Sequence, residues 1–388
     1  MSFLIFKSFA DLVKSESIRI DNGWFVLHYR ASVILMAVSS VLIGTTQYFG
    51  EPINCEVNNF DKSMVDTYCW THGTWTVAEF LTKKMEGVVA HPGVGPYDPR
   101  YHTMIHHRYY QWVPIVIALS AVLFYVPRYL WKMFEGGWIA NMCKDMKYPS
   151  HQPGDHSQRV KTLYQFYVKN HRKHRTYGFM FAFCEFLNLL NVILQWIMAD
   201  VFMRGRFHDY GSNALYYFRF QSDIPDAFNP CDLVFPKMAK CSFAFYGGSG
   251  DPSKSEPLCI LPQNVLNEKV ALLVWFWFIC LIVCSTLAVM IRLVVMMVPV
   301  ARKPILFLYS ENNNSNEMSM VCDNCGYGDW FILRQMKKNV DALTFASLIS
   351  LLSKDTEQLM LDESNLDPEA PKATKVQDFD TLRGESDN

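Results

Sequence analysis

The chain has 388 residues, and its 36 Lys and Arg almost balance 37 Asp and Glu, for a formal net charge of −1. That balance gives no electrostatic reason to expect nucleic acid as a partner. Hydrophobic residues make up 50% of the chain and aromatics 15%. No nucleotide-binding loop, nucleophile elbow or HExxH motif occurs, so the sequence points to no enzyme, no cofactor and no metal.

Residues 1–27 lack an apolar signal-peptide core, because Lys7, Asp11, Lys14, Glu16 and Arg19 interrupt it. Phe3, Leu4, Phe6, Phe9, Ala10, Leu12 and Val13 recur at helical spacing. They predict an amphipathic helix, for which the plain reading is a place on the inner membrane surface. Four long apolar stretches follow, at 28–49, 109–130, 179–202 and 270–300. A hydrocarbon core of about 30 Å needs roughly 20 apolar residues in a helix, and its backbone must satisfy its own hydrogen bonds. The four stretches are therefore membrane spans, and the chain binds membrane lipid. The second opens with Tyr109-Tyr110-Gln111-Trp112-Val113, and Trp112, Trp275 and Trp277 sit where aromatic belts form. Pro114 and Pro127 in this span remove backbone donors and allow a kink. The fourth stretch exceeds what a bilayer needs, which predicts tilt or projection into water.

Loop charge sets the orientation. The loop 131–178 carries nine basic residues and three acids, against five and seven in 50–108 and seven of each in 203–269. Basic loops stay cytoplasmic, so 131–178 and both termini are inside and the other two loops are outside. The C-terminal part divides into a cytoplasmic region, 301–353, and a tail, 354–388. The tail's ten acids, four basic residues and two prolines predict disorder.

Eleven cysteines distribute by compartment. Cys143, Cys322 and Cys325 are cytosolic and expected to be reduced. Cys184, Cys280 and Cys284 lie in spans. Cys55 and Cys69 fall in the first outer loop, and Cys231, Cys241 and Cys259 in the second. Five is odd, and Cys231 is the candidate left over. Cys241 and Cys259 bracket the turn Tyr246-Gly247-Gly248-Ser249-Gly250, which suits a small β element. Four cysteines allow three connectivities, and the residues do not choose between them.

Arg30, Arg128, Glu185 and Arg292 are charges inside or at the edges of spans, at similar depth toward the cytoplasmic side. They read as a gating cluster or, more simply, as a structural pair plus arginines reaching for the inner interface. Glu185, Asn188, Asn191 and Gln195 form a polar stripe that favours hydrogen bonding between helices over facing a pore. His171 and His174, beside Arg172, Lys173 and Arg175, read as a solvated basic face. His102, His106 and His107 lack accompanying ligands for a metal, and Cys322-Asp323-Asn324-Cys325 lacks a second pair.

Several motifs in order resemble the innexins, the invertebrate gap-junction proteins. They are Tyr68-Cys69-Trp70-Thr71-His72-Gly73-Thr74, His91-Pro92-Gly93-Val94, Tyr109-Tyr110-Gln111-Trp112-Val113-Pro114 and Phe134-Glu135-Gly136-Gly137. Val234-Phe235-Pro236-Lys237, Leu258-Cys259-Ile260-Leu261-Pro262, Trp275-Phe276-Trp277-Phe278 and Gly328-Asp329-Trp330-Phe331 follow. The resemblance implies an all-α membrane protein: a four-transmembrane-helix bundle with disulfide-stapled extracellular loops and a helical cytoplasmic dome. It implies the pairing Cys55–Cys259 and Cys69–Cys241, and an amino-terminal funnel placing Ser2, Phe3, Leu4 and Phe6 against a pore. It implies a plasma-membrane gap-junction channel, homo-oligomeric or mixed with other innexins, with about eight subunits in a closed ring docked to a ring of the adjacent cell. Alternatives are an undocked pannexin-like hemichannel and a junctional adhesion protein. The only Asn-X-Ser/Thr sequon, at Asn313, is cytoplasmic, so no outer-loop glycan would block docking.

Overall fold

The computed structural model describes residues 18–57, 60–81, 91–143, 146, 153–224, 228–307 and 315–366. The amino-terminal candidates Ser2, Phe3, Leu4 and Phe6 fall outside them. Four helices are long and apolar enough to cross a membrane: Gly23–Phe49 (α1), Tyr110–Glu135, Lys173–Phe202 and Pro262–Met297. In their most apolar windows only 33% to 39% of residues are buried within the chain. Val38, Leu42, Leu119, Phe183, Leu194 and Val283 are among the side chains left exposed. Such surface is stable only against lipid or other helices.

The chain forms two units, and all four divisions between them fall inside the long helices. The unit formed by Ala31–Tyr125 and Leu190–Val283 contains the outer loops. Its five-stranded antiparallel sheet has the order β1-β7-β4-β2-β3. The strands are β1 (Asn54–Cys55), β2 (Thr74–Val77), β3 (Met104–His107), β4 (Met238–Lys240) and β7 (Leu258–Ile260). Strands from both loops alternate in it, so neither loop can form it alone. A separate hairpin pairs β5 (Phe243–Tyr246) with β6 (Pro252–Ser255) across the glycine-rich turn, as the bracketing cysteines suggested. Helix α2, Lys62–His72, starts on Asp61, whose carboxylate accepts from Ser63 N at 3.1 Å. It stops at Gly73, which has φ +90 and packs against His107 O too closely for any side chain.

The other unit combines Met1–Arg30, Val126–Leu189 and Cys284–Asn388. Within it the second span ends in α3, which runs Val113–Glu135 and carries Pro127 within the helix. Helix α4 (Pro153–Lys169) leads into α5 (His171–Phe202). The C-terminal region adds α8 (Ser315–Asn324), α9 (Tyr327–Asn339) and α10 (Ala342–Leu366), after α6 (Tyr210–Phe220) and α7 (Pro262–Met297) earlier in the chain. The core centres on Trp131, Phe181, Trp330 and Phe331, with Trp131 and Phe331 each 4.9 Å from the Phe181 ring. Helix α10 continues past Ser353 to Leu366, so the expected disorder does not begin at 354. Buried Leu352 and Thr356 hold that stretch, and Thr356 Oγ1 donates to Leu352 O at 2.8 Å.

In α1 the second turn, Leu27–Ser32, is π-helical. Asn22 caps the helix, its Oδ1 accepting from Phe25 N at 2.9 Å.

Candidate functional site

The outer unit is held by two covalent ties. Cys55 bonds Cys259 and Cys69 bonds Cys241, so each joins the first outer loop to the second. Cys55 and Cys259 also face each other in the β1–β7 register. Cys231 is a buried free thiol beside Tyr210, and burial pushes its pKa up to about 11, which keeps it unreactive. Around the ties, Ile53, Val65, Tyr110, Phe243 and Leu261 form one apolar cluster.

Tyr109-Tyr110-Gln111-Trp112-Val113 joins this cluster to the second span. Tyr110 is buried, hydrogen-bonds the Thr74 hydroxyl and stacks on Trp70 at 5.2 Å. Tyr109 packs edge-on against Phe235 at 5.7 Å. Val113 is buried, whereas Gln111 and Trp112 are exposed. The outer ends of the first and fourth spans are tied by polar groups: Thr46 Oγ1 donates to Gln263 Oε1 at 2.9 Å, and Gln263 Nε2 donates to Ile43 O at 3.3 Å. The His107 Nε2 and the Thr76 hydroxyl are hydrogen-bonded at 2.9 Å. Burial, with smaller effects from Arg204, lowers its pKa to about 3, so it stays neutral. The polar stripe on the third span hydrogen-bonds between helices: Asn191 Nδ2 donates to Leu123 O at 3.0 Å and Gln195 Nε2 to Ser120 O at 3.4 Å.

Of Arg30, Arg128, Glu185 and Arg292, the last three enter two separate ion pairs. Arg292 donates to Glu185 through Nε at 2.6 Å and Nη2 at 2.9 Å, a bidentate fork. Its guanidinium lies 5.1 Å from the Phe181 ring and 5.3 Å from the Phe331 ring. Arg128 pairs with Asp21 at 3.1 Å and lies 4.8 Å over Tyr29. Arg30 is half-buried in the π-helical turn.

Sequence reasoning missed the partners from residues 19–22. Asn22 Nδ2 donates to Glu185. Asn339 grips the backbone of Arg19 from both sides, accepting from its N at 2.7 Å and donating to its O at 2.9 Å. Gln335 Nε2 donates to Ile20 O at 3.1 Å and Lys338 Nζ to Asp21 O at 3.3 Å. Burial, followed by repulsion from Arg334, lowers the Lys338 pKa to about 8. Asn22-Gly23 before an apolar run was the one readable signal here, a helix start. Nothing local in the sequence marks α9 as its clasp.

Gly328-Asp329-Trp330-Phe331 sits at the start of α9. A side chain at Gly328 would run into the backbone of His174 and Arg175, so glycine permits the approach. Trp330 is 1% exposed and its Nε1 donates to Arg302 O at 2.9 Å. Asp329 accepts from His174 Nδ1 at 2.7 Å and pairs with His171 Nδ1 at 3.0 Å. The expected solvated basic face is therefore corrected: His174 is 1% exposed, because its side of α5 meets Gly328 and Asp329. Burial alone would raise the Asp329 pKa, but the two histidines bring it down to about 2. Among the described residues, these three and the group Cys55, Cys69 and Cys259 have metal-ligand proximity. The cysteines are consumed in disulfides, and the histidine–aspartate group is already closed by hydrogen bonds.

Four apolar helices, one disulfide-linked loop layer and one aromatic, ion-paired unit with reduced cysteines define a multi-pass membrane protein of the junctional channel class. The profile described as Innexin matches residues 21–356. The chain is 39% identical over 353 residues to innexin inx2 of Drosophila melanogaster, covering 91% of this chain and 96% of that protein. It is 37% identical over 355 residues to innexin inx2 of Schistocerca americana, covering 92% and 98%. It is 33% identical over 350 residues to innexin shaking-B of Drosophila melanogaster, covering 90% and 94%. The chain belongs to the innexin family, and it is a gap-junction channel subunit of the plasma membrane.

Proposed function

We propose that about eight copies of this chain close a ring around a pore, and that two such rings dock across the space between cells to pass ions and small metabolites. The observation that carries this reading is the joining of both outer loops into one sheet by Cys55–Cys259 and Cys69–Cys241. A docking face that is already ordered loses less freedom when it meets its partner. In this reading Ser2, Phe3, Leu4 and Phe6 line the pore as an amino-terminal funnel, and the aromatic unit is the cytoplasmic dome. Other innexins can share the ring.

Dual voltage clamp of paired cells expressing the chain tests docking. Current between the cells is expected. Dye uptake by single cells with no current between pairs would show an undocked hemichannel instead. Cysteine scanning of residues 2–9 with a bulky cytoplasmic thiol reagent tests the pore assignment: complete modification with unchanged current would remove it.

A further inference from the structure

Helix α6 has two unlike sides. One packs on the fourth span: Tyr210, Gly211 and Ala214 are buried, and a side chain at Gly211 would run into the Trp275 indole. Trp275 Nε1 donates to His208 O at 3.2 Å. Lys269 Nζ, which also pairs with Glu268, lies 5.2 Å from the Phe218 ring. Going forward along α6 from Gly211 to Phe218 thus goes backward along α7 from Trp275 to Lys269. The two helices lie antiparallel over six residues of α7, about 9 Å. Lys269 is the last charge before the uncharged run from Val270 to Ile291. The stretch beside α6 is therefore where the span passes from headgroups into hydrocarbon.

Away from that contact α6 carries Leu215, Tyr216 and Phe220, all exposed, with Phe220 at 59%. Leu273 and Phe276 are exposed on the adjoining stretch of α7, continuing the apolar surface of the span. Between Tyr210 and Phe220 the only charge is Arg219, whose guanidinium lies 5.6 Å from the Phe220 ring. Aromatic side chains with a neighbouring cation match the border between acyl chains and phosphates.

We infer that α6 is an interfacial helix seated at the border of the outer leaflet, with Leu215, Tyr216 and Phe220 against phospholipid and Arg219 on a phosphate. The face is apolar and cationic, and it continues a surface that a bilayer already covers. These properties favour phospholipid over a second copy of the chain as the occupant.

Photocrosslinking tests this. p-Benzoylphenylalanine is placed singly at Tyr216, Phe220 and Tyr246 of the full chain in phosphatidylcholine nanodiscs. All three positions are exposed, Tyr246 at 79% on the outer hairpin. After irradiation, mass spectrometry should find phosphatidylcholine adducts at 216 and 220 in several-fold higher yield than at 246. Covalent subunit dimers in place of lipid adducts would assign the face to a neighbouring copy. Lipid yields at 216 and 220 no higher than at 246 would show that it faces water. Either result overturns the inference.

Discussion

The two units of this innexin reach stability by opposite means. The outer unit has short strands, long loops and several small apolar clusters, and two disulfides hold it. The other unit contains no disulfide among its described residues. It relies on stacked aromatics, two buried ion pairs and a backbone clasp, and its Cys143, Cys322 and Cys325 remain thiols. The difference matches chemistry to compartment: covalent ties persist where the surroundings are oxidising, and packing must suffice where thiols are kept reduced. Redox should therefore act on one unit and charge or packing changes on the other.

The largest expected effect is loss of one outer tie. A disulfide closing a long loop stabilises by about 2–4 kcal/mol, and these close loops of 204 and 172 residues that contain the second and third spans. Cys55→Ser, Cys69→Ser, Cys241→Ser or Cys259→Ser should each abolish current between cells. A normal current in any one would break the contrast, as would non-reducing peptide maps joining Cys55 to Cys69.

Next comes the buried pair. Removing one partner of such a pair costs about 3–5 kcal/mol, whereas replacing both by apolar residues is often neutral. Glu185→Gln or Arg292→Met alone should lower thermal stability sharply. The double change Glu185→Leu with Arg292→Met should recover most of it. Equal losses in single and double variants would show that the pair is not the source. Trp330→Ala should cost a similar amount, about 3–5 kcal/mol, through its cavity, measured as loss of assembled oligomer in detergent.

A smaller effect concerns acid. Asp329 is held at about 2 against an ordinary 3.8. A depressed carboxylate stabilises above its unfolded pKa, and the contribution is lost as pH falls from about 4 through 2. Nearly two pH units correspond to about 2 kcal/mol. Asp329→Asn should flatten the acid limb of a stability–pH profile below about pH 4. A profile that keeps its acid limb would remove this role. The smallest effect is expected for Cys231→Ala, which deletes a buried free sulfur at about 1 kcal/mol or less and should leave current between cells intact.

Much of this was legible in the chain, for reasons that differ by element. The spans show as uncharged runs, but their helices exceed the runs. The fourth starts at Pro262 because Gln263, Asn264, Asn267 and Glu268 are polar yet buried and hydrogen-bonded or ion-paired outside the apolar zone. The third starts at His171 for a similar reason. The five-stranded sheet was not legible: its strands have two to four residues, and Thr74–Val77 is buried on every residue, so no alternation appears. The charged residues in the spans stood out at once. Their partners did not, because Asp21 and Asn22 lie in an unremarkable segment far from Arg128 and Glu185. His174 was misread because Asp329 is 155 positions away. The cysteine pairing came from family resemblance, since spacing left three connectivities open.

The clasp of Asn339 on Arg19 closes a sequence separation of 320 residues. Contacts of such range are late to form, because the entropy of closing the loop must be met before they contribute. A nascent chain emits Arg19 early and Asn339 only after all four spans have left the ribosome. The anchoring of its first residues must therefore wait for its last third. Mutations in α9 should then surface as defects at the opposite terminus, and a chain stalled after the fourth span would leave the backbone of Arg19 and Ile20 without its α9 partners.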